Sequence, residues 1–416
     1  MAEPNPSQRH ATIKTLSPIL VPFSFRTGTT DALDEYREFL RNIEDFDPAL
    51  KVKAPPTGSQ EYQNLSSDVR NLDIATWQDT NSEHDILFHV FPNAIAIVEI
   101  TFRHMPVVSS EELEKQVQDR SRALIKASFQ RFVELLKALR QSHPDPIFID
   151  PSTHPANQKK VHIFWTSRAL LLSQEQATSS AWKTIIDDWL ALTQRPEDAA
   201  AITKGDLNCS MTWLNYVLVD SADGAEDFRI ETMVLAQYIY TAQAQCNLHL
   251  KQAISVAYTS DRPLRAKTQL EESRVMSRLH QVTFNDHLGY MTRPKRKLLD
   301  EILESWEFEQ LLDNGQRMIE VCTSRIEEAS ERQRERSSML TDLLLVSLSF
   351  FAVFELSMNL TQFSREAMSR PTLDYNDDQP SFFLRLIAEI DTDIMFGFGV
   401  TATLLLVIVY RFLKSR

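Results

Sequence analysis

The chain has 416 residues, room for one large or two ordinary soluble domains beside any membrane segment. Its 44 basic and 57 acidic residues give a formal charge of −13, which argues against the basic face of a nucleic-acid binder. Only 8 glycines occur, with neither a GxGxxG nor a P-loop pattern, so a glycine-rich phosphate cradle is not expected. Three scattered cysteines, Cys209, Cys246 and Cys322, fit neither a disulfide framework nor a zinc cluster.

The opening MAEPNPSQRH has no signal-peptide apolar core. Residues 1–28 read as an arm in which Ile13 to Phe25 is apolar and β-prone. Pro18 and Pro22, which cannot donate to a ladder, predict an edge strand there. A helix is expected after Thr30 or Asp31 through Leu33, Tyr36, Phe39, Leu40 and Ile43. Residues 51–82 read as a loop carrying the turn Pro55-Pro56-Thr57-Gly58. Two β-rich runs, Ile86–Phe91 and Ile95–Phe102, flank Pro92-Asn93-Ala94 and predict a hairpin. In the second run Ile95, Ile97, Glu99 and Thr101 alternate with Ala96, Val98, Ile100 and Phe102.

Ser109 with Glu112 resembles a capping box and opens an amphipathic helix to about Gln141. Strands are expected at Ile147–Ile149, Val161–Trp165 and Met211–Val219, and helices at 179–193 and Phe228–Tyr258. Residues 29–262 thus read as an α/β cytoplasmic domain. From there the chain reads as helical, with breaks near Pro294 and Asp313-Asn314-Gly315. Residues 263–338 are expected to form a helical stalk, in which Ile319, Cys322, Ile326 and Ala329 recur at three- and four-residue steps as a packing seam. One helix from Gln316 to Leu360 would be about 67 Å long.

Two apolar stretches follow, 339–360 and 394–412, each roughly the 20 residues that cross the hydrocarbon layer. They predict a C-terminal two-helix transmembrane hairpin. Arg325, Arg332, Arg334 and Arg336 precede it, and Arg411, Lys414 and Arg416 end it, the last two within a basic tail at 413–416. The connecting loop 361–393 is acidic, with Asp374, Asp377 and Asp378 among its carboxylates. Positive charge favours the inner side, so both termini are expected on the cytoplasmic or matrix side of a bacterial or organellar inner membrane.

Catalytic patterns are missing from the sequence. The pairs His84/His89, His143/His154 and His280/His287 lack HExxH spacing, and no cysteine has a visible basic partner. No enzyme activity and no cofactor are expected. The membrane stretches say more. Glu355 and Asn359 lie one helical turn apart, on the face that continues back through Ala352, Leu348, Leu344 and Thr341. An ionisable group within a span normally faces a bundle interior or water. Lining a pore, this face would have polar ends and an apolar constriction that gates by dewetting. Two spans cannot enclose a pore alone, so the reading requires a homo-oligomer.

The order of α/β body, stalk helix, two spans and basic tail resembles the CorA-type divalent-cation transporters, and so does Ser357-Met358-Asn359 at the outer end of the first span. The family carries Gly-Met-Asn there. Serine replaces the glycine, Leu356 stands at the preceding aromatic position, and the loop is longer. The resemblance implies a pentamer with the first span innermost, Asn359 meeting the hydrated cation, and Met358 beside it. It implies Mg²⁺ or another divalent cation as substrate or regulator. The expected function is thus an oligomeric cation channel or transporter gated by its cytoplasmic domain. The alternative is a membrane-tethered sensor, effector or scaffold, for example in stress or phage defence, whose body binds a protein partner without selective transport.

Overall fold

The computed structural model describes residues 9–24, 47–52, 75–91, 93–142, 161–191, 196–211, 214–219, 225–259, 263–369 and 382–414. They form two compact units, Met1–Thr323 and Ser324–Arg416. The expected helix at 30–43, the strand at 147–149 and the loop acids Asp374, Asp377 and Asp378 lie outside the described residues.

The first unit is built on an eight-stranded sheet in the order β2-β3-β4-β5-β1-β6-β8-β7. The strands are β1 (His10–Ser24), β2 (Leu50–Val52), β3 (Ala75–Gln78), β4 (Asp85–Val90), β5 (Asn93–Pro106), β6 (Ser167–Leu172), β7 (Cys209–Met211) and β8 (Asn215–Val219). Among the described residues only β6 and β8 pair in parallel, and the other pairings are antiparallel. The α/β reading therefore narrows to a mixed, largely antiparallel sheet flanked by helices. The expected hairpin is present as β4–β5, with Phe88 opposite Val98 and Ile86 opposite Ile100.

The edge-strand expectation for the N-terminal arm is overturned, because β1 lies between β5 and β6. Its regular ladder with β6 ends at Leu16 opposite Ser167, before Pro18 is reached. Beyond that point the neighbour is the irregular segment 161–166, which donates from Phe164 N to the Pro18 carbonyl at 3.0 Å. A strand residue points its N–H and C=O to the same side, so the donor missing from Pro18 faces this irregular segment. A proline is thereby tolerated inside the sheet. The same segment makes a single bridge at Ile163 in place of the expected strand 161–165. β2 and β3 fall where a loop was expected, and β6 follows directly after a run that the sequence reading took as the strand.

Alternation along β5 divides the core into two layers. Ala96, Val98, Ile100 and Phe102 face a helical layer of α1 (Ser110–Ser142), α2 (Gln174–Thr178), α3 (Ser180–Ala191) and α4 (Pro196–Lys204). Ile95 and Ile97 face the opposite layer, where Leu16, Tyr216 and Leu218 meet α5 (Ala225–Thr259) and α7 (Arg293–Ser305). Burying each such large apolar side chain is worth about 1.5–3 kcal/mol. Several polar groups within the core are paired, although the buried Trp77 indole N–H has no partner among the described residues. The Trp189 indole donates to the Tyr216 carbonyl at 2.9 Å, and Arg168 donates to Asn215 at 3.0 Å beside Glu114.

Residues 263–323, read from the sequence as the start of a stalk, pack within this first unit. α6 (Pro263–Tyr290) and α7 follow α5, and Leu299, Ile302 and Phe308 join the second core layer. The helix break comes at Trp306-Glu307, where Glu307 takes a φ of 53°, and not at Asn314-Gly315. Gly315 lies inside α8 (Phe308–Ser369), where a Cβ would stand 2.6 Å from both Asn247 Oδ1 and Gln243 Nε2. Its missing side chain is a packing requirement that looks like a breaker in the sequence. Asn247 also donates to the Leu311 carbonyl at 2.8 Å. On the expected seam, Ile319 and Cys322 are fully buried.

Two carboxylates tie stability to pH. Burial alone would raise the Asp79 carboxyl, but hydrogen bonds from Arg131, Ser128 and the Asn81 backbone, with the Arg131 charge, hold it below the ordinary 3.8. Burial likewise opposes ionisation of Glu99, and His89 and Lys14 outweigh it, holding the group below 4.5. A depressed carboxyl stabilises fully above its ordinary value and loses that contribution as pH falls through the folded value. Unfolding free energy should therefore drop as pH falls below about 4. Asp79→Ala should cost about 2 kcal/mol at neutral pH, because it strands the partly buried Arg131, and should flatten the acid limb. Denaturant titrations across pH measure both.

Candidate functional site: the uncovered face of the apolar helix

Among the described residues one helix segment, Ser337–Glu366 of α8, is long and apolar enough to cross a membrane. Five of its hydroxyls bond back to the helix's own backbone. Thr341, Ser349, Ser357, Thr361 and Ser364 each donate to the carbonyl four residues earlier, at 2.7–3.0 Å. Such back-bonding leaves none of these hydroxyl protons needing water, which suits a helix surrounded by hydrocarbon. α10 (Thr392–Lys414) carries a shorter apolar stretch, Asp393–Leu405, and repeats the pattern with Thr401 on Gly397 and Thr403 on Gly399.

Within the second unit α10 packs on one face of α8. The Phe396 ring meets Phe350 and Phe354 edge-on, with centroids 6.0 and 5.2 Å away. At Gly399 an added Cβ would lie 2.7 Å from Val353 Cγ1 and 3.2 Å from Ser357 Oγ. Further along, Arg365 stands 4.0 Å from Asp391. Contacts thus pair later α8 positions with earlier α10 positions, so the helices run antiparallel. Thr361, Ser364 and Thr403 are buried.

The residues singled out by the sequence occupy the other side. At 3.6 residues per turn, Thr341, Leu344, Leu348, Ala352, Glu355 and Asn359 centre roughly half a turn away from Phe350, Val353, Ser357 and Thr361. All six are exposed in the isolated chain, Leu344 and Leu348 at 67% each. Glu355 and Asn359, the polar side chains here that are not hydroxyls, have no hydrogen-bond partner among the described residues. Met358 is exposed at the edge of this face. It also joins Thr361, Gln362, Arg365, Glu366 and Ser369 around a depression of about 460 Å³. The expected face is therefore contiguous, and α10 leaves it open.

The role of Gly399 was not read from the sequence, where it looks like any glycine in an apolar run. A small residue opposite Ser357 is the signal that was available, since close helix approach requires one.

The first unit offers polar groups of a different kind. Glu99 bridges Lys14 at 3.4 Å and His89 at 3.3 Å, and Arg103 pairs with Asp85 at 2.7 Å. Thr12, Lys14, Asp85, Thr101, Arg103 and Ser173 help to line a groove of about 510 Å³ over the sheet. His84 packs beside Phe102, and burial drives His280 down to about 4. His143 and His154 lie outside the described residues, as does the side chain of His287. Burial raises all three thiols, Cys246 to about 11. No group of three or more His, Cys, Asp or Glu side chains is placed to hold a metal among the described residues.

The packing predicts a contrast between two glycines. Gly399→Ala should destabilise the helix pair by about 1–3 kcal/mol through overpacking. Gly397→Ala, whose Cβ would meet nothing within 4 Å, should be neutral or slightly stabilising. Thermal unfolding of the two variants in the same detergent reads the difference. In comparisons with known proteins, the chain matches no family model, no curated protein and no solved structure.

Proposed function

We propose that this chain is an integral membrane protein that assembles with copies of itself so that the uncovered face of α8 lines a cation path. The observation that carries the reading is the division of α8 into two faces. α10 takes the Phe350–Val353–Ser357 side, and the side bearing Glu355 and Asn359 stays open. A carboxylate left toward hydrocarbon is costly, so this side calls for other helices or water. A symmetric assembly around it supplies both.

In that assembly each copy contributes a carboxylate and an amide carbonyl near one end of the path. Rings of such oxygens replace part of a cation's hydration shell. Leu344, Leu348 and Ala352 form the apolar constriction, and Thr341 marks the other end. The sequence between the two helices is acidic, with Asp374, Asp377 and Asp378, and such charge raises the local cation concentration. The Ser357-Met358-Asn359 resemblance to CorA-type transporters favours a pentamer and a divalent cation such as Mg²⁺. α8 is one helix from Phe308 to Ser369, and Asn247 grips its first turns at Leu311, which supports control of the path by the first unit. The basic flanks favour both termini on the cytoplasmic or matrix side.

A second reading has its own observation in the polar groove over β1, β4 and β5, a surface suited to a partner of the body. On that reading the chain is a tethered sensor or scaffold, and exchanging residues 337–414 for an unrelated two-helix anchor would preserve partner binding.

Purified chain reconstituted into vesicles should pass divalent cations down their gradient, with Asn359→Ala and Glu355→Gln each reducing flux at least tenfold. Flux equal to that of protein-free vesicles would overturn the transport reading, and unchanged flux in both variants would overturn the assignment of the path.

A further inference from the structure

The segment before α10 carries an apolar surface that the cation path does not use. α9 (Phe382–Glu389) exposes Phe382 at 73%, Phe383 at 71% and Leu386 at 48%. Its charges, Arg385 and Glu389, pair with each other at 3.2 Å across one helical turn. At 3.6 residues per turn these two share a narrow strip, and Phe383 and Ile387 lie on the far side. A helix of eight residues is not stable by itself in water, so a surface must hold it.

Its position identifies that surface. Only Ile390 and Asp391 separate α9 from α10, so the two helix ends lie at most about 11 Å apart. The Asp391 carbonyl receives Ile394 N at 2.9 Å at the start of α10, and Arg365 pairs with Asp391 at the same end of the helix pair. Those charges mark where the apolar stretch of α8 gives way to polar sequence. α9 therefore sits at the level at which α8 and α10 leave the hydrocarbon, and the chain returns into an apolar helix directly after it.

We infer that α9 is an interfacial helix, lying at the acyl–headgroup boundary of the outer leaflet with Phe382, Phe383 and Leu386 inserted into lipid. The inference rests on the membrane reading above. Phe382, Leu386, Phe383 and Ile387 occupy an apolar arc of about 140° beside the narrow charged strip, an arrangement that this boundary accommodates. Because Arg385 and Glu389 neutralise each other, insertion requires no anionic lipid. The occupant of this face is the bilayer itself.

The test exploits where the tryptophans lie. The chain has 6, and the last in sequence is Trp306, so Phe383→Trp places a reporter alone in the C-terminal segment. The full chain is reconstituted in phosphatidylcholine vesicles carrying bromines either near the headgroup end of the acyl chains or near their termini. Leu404→Trp in α10, made in a separate chain, serves as the reference. The expected result is that the reporter in α9 emits with a blue shift and is quenched more by the shallow bromines. The reference in α10 should be quenched more by the deep ones, and the pattern should persist without anionic lipid and in high salt. A quenched α10 reference with an unquenched α9 reporter, whether the latter's emission is water-like or blue-shifted, overturns the interfacial helix and leaves the membrane reading standing. Deeper quenching of the α9 reporter than of the α10 reference overturns it too. If neither is quenched, the membrane reading fails together with it.

Discussion

The contact at Gly399 governs the second unit. With no side chain at that position, α10 approaches Val353 and Ser357 of α8 closely, and Phe396 lodges against Phe350 and Phe354. Because α10 occupies that side, the opposite side of α8 is the one that remains for other partners. Glu355 and Asn359 lie there, in line with Leu348, Leu344 and Thr341. The orientation of α8 about its own axis depends on which face α10 takes. Hydroxyls on both helices donate to their own backbone, while Glu355 and Asn359 stay exposed on the open face.

The first unit follows a different logic, in which a sheet buries two apolar faces against two layers of helices. β5 serves both layers through strict alternation, and β1 runs beside it despite its prolines. Several polar residues inside are paired in short networks, such as Arg168 with Asn215 and Glu114, and Asp79 with Arg131. Pairing of this kind offsets the cost of burying these charges. The groove beside Lys14, Thr101 and Arg103 is the part of the sheet surface where polar side chains outlast the apolar alternation.

Much of this was legible in the residues. The β4–β5 hairpin, its inward and outward alternation, the capping of α1 by Ser109 and the extents of α3 and α5 follow from period and punctuation. Glu355 and Asn359 were legible as well, since polar residues at a four-residue step stand out in an apolar stretch, and both are exposed on α8. What misled was context. Pro18 signals an edge, and only the irregular neighbour at 161–166 makes it acceptable inside the sheet. Gly315 signals a break, yet the need is space for Asn247 and Gln243, set by α5 far earlier in the chain. Local rules cannot report a constraint whose cause lies on a distant segment. β2, β3 and β7 are too short to carry a periodic signal of their own.

Cysteine cross-linking in the native membrane tests the central claim most directly. In a chain with Cys209, Cys246 and Cys322 replaced by serine, single cysteines introduced at Leu348, Glu355 or Asn359 should form intermolecular disulfides on mild oxidation. A cysteine introduced at Val353, covered by α10, should not. Cross-linking from Val353 with silence at Leu348, Glu355 and Asn359 would contradict the account.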